Sequence, residues 1–224
     1  MGASKRIMEI CLAGYEETVK ISTARFANVA FSDGSLLDSF TKRLINRQPI
    51  SAPYDIKRYF LTHVEAAELC LFSCFLGQSQ EIFMPKISNK IKAISFSEVA
   101  SRFLEYNQYQ PILCDSEEEA RSYDLNGYGN KWPCYFFKTD TTGEKEIEIF
   151  YETSDIIDLQ SFDDIALMKI VSKTSGEKFD NFIDGFNSIL KSGNYSKTQI
   201  VSLFKSLIDN FEHNELGRNL DQKM

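Results

Sequence analysis

Residues 58–87 read RYFLTHVEAAELCLFSCFLGQSQEIFMPKI. Residues 58–63 (RYFLTH) suit a short strand. Residues 64–77 (VEAAELCLFSCFLG) form an apolar helical run that Gly77 ends, and residues 81–87 (EIFMPKI) suit a second strand. Strand, helix and strand in this order is the pattern of a crossover, because strands running the same way need a connection that returns across the sheet.

The same alternation continues on both sides. Upstream, Gly2 to Glu17 has Ile7, Ile10, Cys11 and Tyr15 near helical spacing, and residues 19–31 (VKISTARFANVAF) make one strand-like run. The turn DGS at 33–35 opens a helix over 36–47, which Pro49 closes. Downstream, the pattern predicts a helix over 95–107, a strand over 110–114 and an acidic-started helix over 116–124. Residues 126–133 (NGYGNKWP) read as a surface loop, followed by a strand over 134–140. The expected class is α/β with at least part of a parallel sheet.

From Ser175 onward the pattern changes to two helices, 176–193 and 197–213, the second opened by a Ser196–Gln199 capping box. The expected organisation is therefore a main unit over 1–174 and a C-terminal helical appendage over 175–224. Apolar stripes on those two helices (Phe179, Phe182, Ile183, Phe186 and Leu190; Ile200, Leu203, Phe204 and Leu207) need covering, which favours a homo-oligomer.

Composition narrows the function. A net charge of −7 argues against broad binding of nucleic acid or anionic membranes, and no apolar run approaches a membrane span. A cytoplasmic location is expected. The five cysteines are an odd number with no Cys-x-x-Cys pair; Cys70 and Cys74 sit among Leu69, Leu71, Phe72 and Phe75 and read as buried free thiols. With only His63 and His213 present, zinc is not expected, and His63 reads as structural. No Gly-x-Gly-x-x-Gly turn occurs, so the usual phosphate cradle of a dinucleotide fold is absent.

Five segments in order carry a family resemblance: MGASKR at 1–6, ARFANVAFSDGS at 24–35, KRYFLTHVEAAEL at 57–69, EIFMPKI at 81–87 and TTGEK at 141–145. Together they resemble the second half of the extended short-chain dehydrogenases that act on nucleotide sugars, most nearly the UDP-N-acetylglucosamine 4,6-dehydratase group of bacterial polysaccharide biosynthesis. The likeness covers about the first two-thirds of the chain and implies the latter part of a Rossmann-type enzyme with its substrate-binding portion. By this reading the cofactor-binding half lies upstream of Met1, and the chain alone is inactive and holds NAD or NADP weakly.

The resemblance also implies residue roles. Lys5 would hold the nicotinamide ribose hydroxyls and lower the pKa of a tyrosine one turn away, the position that Met1 occupies here. Phe26 and Ala27 would pass the nicotinamide end. Asn28 and Arg58 would meet the diphosphate of a UDP-sugar, and Glu144 the nucleotide ribose. Two departures stand out: Ala27 and residues 30–32 replace a glycine-containing pattern, and Thr141 and Thr142 replace an Arg-Pro pair.

Each residue also has a plainer reading. Lys5 fits a solvated surface lysine, Asn28 a turn at a strand end and Arg58 a surface strand residue. Ser35 either offers its hydroxyl and neighbouring N–H groups to an anion or simply caps the helix that follows. Thr141 and Glu144 also fit a capping box for a helix over GEKEIEIFY.

In the intact enzyme the resemblance implies that NAD takes hydride from C4 of the hexose, water leaves across C5 and C6, and hydride returns to C6. Oxidation comes first because the C4 ketone acidifies the C5 proton. A related epimerase or reductase, and a non-enzymatic binding or assembly module, are the alternatives.

Overall fold

The computed structural model describes residues 2–14, 19–87, 91–125, 129–151, 155–170, 176–208, 211–213, 215 and 217. Helices and strands alternate from α1 (Gly2–Ala13) through β1 (Thr23–Ala24), β2 (Asn28–Val29), α2 (Leu36–Ile45), β3 (Ile50–Pro53), β4 (Lys57–Arg58) and β5 (Phe60–Leu61). Then come α3 (His63–Leu76), β6 (Glu81–Pro85), β7 (Ile94–Ser95), α4 (Phe96–Tyr106), β8 (Gln110–Cys114), α5 (Glu117–Ser122) and β9 (Lys131–Phe137). A hairpin of β10 (Ile156–Asp158) and β11 (Ile165–Lys169) follows, and α6 (Gly176–Ser192) and α7 (Lys197–Leu207) come last. The architecture is mixed α/β with parallel strand pairs, as the alternation predicts.

Two cores organise these elements. The first lies on a four-stranded sheet of order β1-β6-β11-β10, in which β1 and β6 are parallel and the other pairs antiparallel. Ala27, Leu61, Ile82, Met84, Phe150, Ala166 and Met168 fill it. Helix α3 packs on β1 and β6. Gly77 is required where α3 ends, because a Cβ there would stand 2.4 Å from the Ser73 carbonyl oxygen and 2.5 Å from Ser22 Cβ.

The second core lies on a parallel sheet of order β3-β9-β8 covered by α2 and α4. Phe40, Ile50, Ala52, Ala100, Leu104, Trp132 and Cys134 are buried there. The Trp132 indole N–H donates to the Gln48 carbonyl at 3.0 Å, and Tyr109 meets the indole edge-on at 4.8 Å.

Several sequence expectations need correction. The run over 19–31 is not one strand: β1 pairs with β6, whereas β2 pairs with β5 in a separate two-stranded sheet. The chain changes partner between Arg25, whose N–H donates to the Phe83 carbonyl, and Asn28, whose N–H donates to Tyr59. The RYFLTH strand similarly divides into β4, paired antiparallel with β7, and β5. Residues 131–133 belong to the central strand β9 rather than to a loop. Pro133 there argues against a strand in sequence, yet the ladder from β3 begins only at Cys134. Cys70 and Cys74 are exposed, not buried, since only Ala66, Leu69 and Ser73 of α3 are buried.

Residues 143–151 are not helical. Residues 142–143 form a turn with Gly143 at φ +71°, and Ile147 bridges to Lys57 in parallel register, so the expected capping box is absent. The capping box at Ser196 and Gln199 is present, with both reciprocal bonds made. Helices α6 and α7 pack mainly on one another, and a Cβ on Gly185 would stand 2.8 Å from Leu203 Cδ1. Among the described residues no helix is long and apolar enough to cross a membrane.

Candidate functional site

Strand β4 and the turn at 139–144 bring two predicted site residues together. The Arg58 guanidinium lies with Nη2 3.9 Å from Glu144 Oε1, and both side chains are largely buried, at 14% and 13% exposure. Nη1 of Arg58 donates to the carbonyls of Lys57 at 2.8 Å and Lys145 at 2.9 Å. The Phe96 ring stands 5.6 Å from the guanidinium carbon, a cation–π distance. Arg58 is therefore a held residue rather than a free surface arginine.

Glu144 is held from its other side. Its Oε2 accepts the Thr139 hydroxyl at 2.6 Å, the Thr139 N–H donates to Asp55 Oδ1 at 2.9 Å, and the Thr141 N–H donates to Thr139 Oγ1 at 3.3 Å. Asp55, Phe96 and Thr139 were not singled out in the sequence; they carry no motif, and only the fold places them beside Arg58 and Glu144.

Asn28 enters from β2. Its Cα partner across the parallel pair is Phe60, two residues after Arg58. Its backbone is satisfied, but its side-chain Nδ2 is buried with no hydrogen-bond partner in the structure. A buried amide donor left unpaired costs about 1–3 kcal/mol, so an acceptor, from an ordered water or a ligand, is called for there.

The remaining predicted residues do not converge so closely. Lys5 is exposed on α1. Ala27 is 6% exposed and belongs to the first core, while the neighbouring Phe26 is 40% exposed. Met1 lies outside the described residues. Ser35 caps α2 by accepting the Asp38 N–H at 3.3 Å. The Gly34 N–H beside it donates to Asp38 Oδ2 at 3.0 Å, so the protein's own carboxylate takes the anion position. Lys42 at 2.7 Å, together with the Gly34 bond, holds the Asp38 carboxyl below its ordinary pKa. The plain cap is thus the reading of Ser35 that the geometry favours. His63 is exposed at the start of α3 rather than buried.

Two further features were missed in the sequence. Arg25 forms a bidentate pair with Glu9, with Nη2 2.8 Å from both carboxylate oxygens, and its Nη1 donates to the Phe150 carbonyl. This tie fastens α1, which carries Lys5 one turn before Glu9, to the first sheet. Glu215 accepts the Thr142 hydroxyl at 3.1 Å and pairs with Lys197; the Lys197 ammonium, the Gly217 N–H and His213 hold its carboxyl down to about 2. Among the described residues no group of three or more His, Cys, Asp and Glu side chains is arranged to hold a metal ion.

A family model described as polysaccharide biosynthesis protein matches residues 1–125, more than half of the chain. The chain belongs to this polysaccharide biosynthesis protein family. The matched region carries Lys5, Asn28, Ser35 and Arg58, while Glu144 lies beyond it.

Two relatives of this family member extend the comparison. The capsular polysaccharide biosynthesis protein CapD of Staphylococcus aureus is 32% identical over 101 residues, 43% of this chain and 17% of CapD. The probable polysaccharide biosynthesis protein EpsC of Bacillus subtilis is 29% identical over 100 residues, with the same shares. The matched segment thus spans about a sixth of either relative. The X-ray structure of Pen from Bacillus thuringiensis resembles this polysaccharide biosynthesis family member with a TM-score of 0.56 and 19% identity, over 77% of this chain and 48% of Pen. At that identity the likeness concerns the fold.

Proposed function

We propose that this chain is the substrate-side portion of a nucleotide-sugar 4,6-dehydratase that takes a UDP-N-acetylglucosamine-like substrate. The observation that carries the reading is the buried, unpartnered Asn28 amide on β2, whose cross-strand partner Phe60 follows Arg58 by two residues. An amide donor with no acceptor and a largely buried guanidinium form a set of donors suited to the oxygens of a diphosphate. Family membership in polysaccharide biosynthesis supports a sugar nucleotide over other diphosphates.

In this reading Asn28 donates its Nδ2 hydrogens to a phosphate oxygen. Arg58, oriented by the backbone carbonyls on Nη1, turns Nη2 towards the same group. Glu144 is poised between Arg58 and Thr139, where a ribose hydroxyl can replace one of its two partners. Phe96 shields the guanidinium from water and so strengthens its pull on the diphosphate.

The residues present here do not fit a complete dinucleotide site. Ala27 is turned into the core, Lys5 is exposed, and the sequence carries no Gly-x-Gly-x-x-Gly turn. No step of the reaction is therefore derived through NAD on this chain; the dinucleotide and the acid and base groups belong, in this proposal, to a further segment. The cytoplasm is the compartment where the sugar nucleotides such an enzyme uses would be met.

Isothermal titration of the chain with UDP-N-acetylglucosamine tests the reading. Saturable binding that Asn28→Leu weakens at least tenfold is expected, while NADH titration shows no saturation in the low micromolar range. Absence of UDP-sugar binding, or binding untouched by Asn28→Leu, would overturn it. In an assembled enzyme a product lighter by one water separates dehydration from epimerisation.

A further inference from the structure

The turn that carries Glu144 is also gripped from the far end of the chain. Thr142 Oγ1 donates to Glu215 Oε1 at 3.1 Å, and the Gly217 N–H donates to the same oxygen at 3.0 Å. The other oxygen, Oε2, takes Lys197 Nζ, and His213 Nε2 lies 3.2 Å from it. Lys197 is the first residue of α7, directly after the Ser196 cap. One carboxylate therefore joins the helical hairpin to the 139–144 turn.

Among the described residues, α6 and α7 have one another as their main packing partner. Phe182 and Leu207 are buried residues of α6 and α7, whereas Phe186 and Ile183 are each 37% exposed and Leu190 is 55% exposed. The Phe182 ring stacks on Phe186 and meets Phe204 at a tilt, and Phe204 meets Phe211 edge-on. On the other side of the junction, Thr142 sits two residues from Glu144, whose oxygens are divided between Arg58 and Thr139.

We propose that the C-terminal hairpin is a strap that orders the 139–144 turn through Glu215 and Thr142, and so holds Glu144 against Arg58. Glu215 is a positioning residue in this scheme: it touches no substrate, and it acts on Glu144 through the turn. Thr142 contributes the hydroxyl on which the strap closes, which gives one of the two threonines of TTGEK a role independent of phosphate. The consequence for nucleotide-sugar binding rests on the function proposed above; the ordering of the turn does not.

The test uses the full chain with Glu215→Ala, Thr142→Val and the double variant. Hydrogen–deuterium exchange over residues 139–147 should quicken at least threefold in each single variant, and the double variant should add nothing further, because both remove the same link. Melting of the whole chain, followed by circular dichroism, should stay close to wild type, and Glu215→Asp should restore part of the protection. Unchanged exchange in 139–147, or quickening that simply adds in the double variant, would overturn the strap. The affinity for UDP-N-acetylglucosamine, where the wild type binds it, should fall three- to tenfold in both single variants. A wild type that binds no UDP-sugar sinks the nucleotide-sugar reading alone, since the exchange measurement still decides the strap.

Discussion

Arg58 of β4 and Glu144 of the turn after β9 face one another at 3.9 Å, each with most of its side chain out of water. The pair is long for an ion pair, and each partner has shorter bonds elsewhere: Arg58 to the carbonyls of Lys57 and Lys145, Glu144 to Thr139. Such an arrangement ties β4 to the turn through Arg58, Lys145 and Glu144. The binding role proposed for the pair therefore sits on residues that also have a structural one.

Arg58→Ala should lower stability by about 1–3 kcal/mol, because it leaves backbone carbonyls and a largely buried carboxylate without their donor. Arg58→Lys should recover only part of that, as an ammonium cannot span two carbonyls and Glu144 with a planar fork. Urea denaturation gives the stability, and UDP titration of the folded variants gives the binding. A stability loss with undiminished UDP affinity in Arg58→Lys would assign Arg58 to the loop alone.

The cysteines divide sharply by environment. Burial pushes the Cys134 thiol up to about 12, and the Cys114 thiol is raised by burial and by Glu119, while Cys70 and Cys74 are exposed. Alkylation at mildly alkaline pH, read by peptide mass spectrometry, should label Cys70 and Cys74 first and Cys134 only on unfolding. The sign of the linked stability follows from the raised value. With the folded pKa above the unfolded one, the Cys134 contribution is complete below about pH 9 and is lost as pH rises towards 12. Cys134→Ala should remove that alkaline loss in urea melts across this range.

The aromatic stripes of the hairpin are expected to respond unequally. Phe186 is 37% exposed, whereas Phe204 packs on Phe182 at 6.1 Å and on Phe211 at 5.8 Å. Phe186→Asp should move the chain towards monomer with its helical signal intact, and Phe204→Asp should lose helical signal as well. Light scattering with circular dichroism checks both, and a wild-type monomer would remove self-association through this face.

Alternation of apolar strands and helices, the apolar helix that ends at Gly77, the Ser196 capping box and the two-helix C-terminus follow from local periodicity and turn chemistry, and these were legible in the sequence. The family resemblance named Asn28, Arg58 and Glu144 one by one, but not that Arg58 and Glu144 meet. Which strand pairs with which was not legible. Residues 19–31 suit pairing anywhere along their length, and only the placement of β6 and β5 decides that the run splits between two sheets. Trp132 read as part of a polar loop, because Gly, Asn and Pro surround it; burial beneath Tyr109 and beside Gln48 is a property of the assembled second core. The thiols of α3 show the converse. Apolar neighbours predict burial, but a helix apolar on every side needs contact on every side to be buried, and here only Ala66, Leu69 and Ser73 are covered. Local interactions act over a few residues and leave their record in spacing. The Arg58–Glu144 pair, the unpartnered Asn28 amide and the Glu215 strap depend on residues brought together by long-range packing, which only the tertiary structure determines.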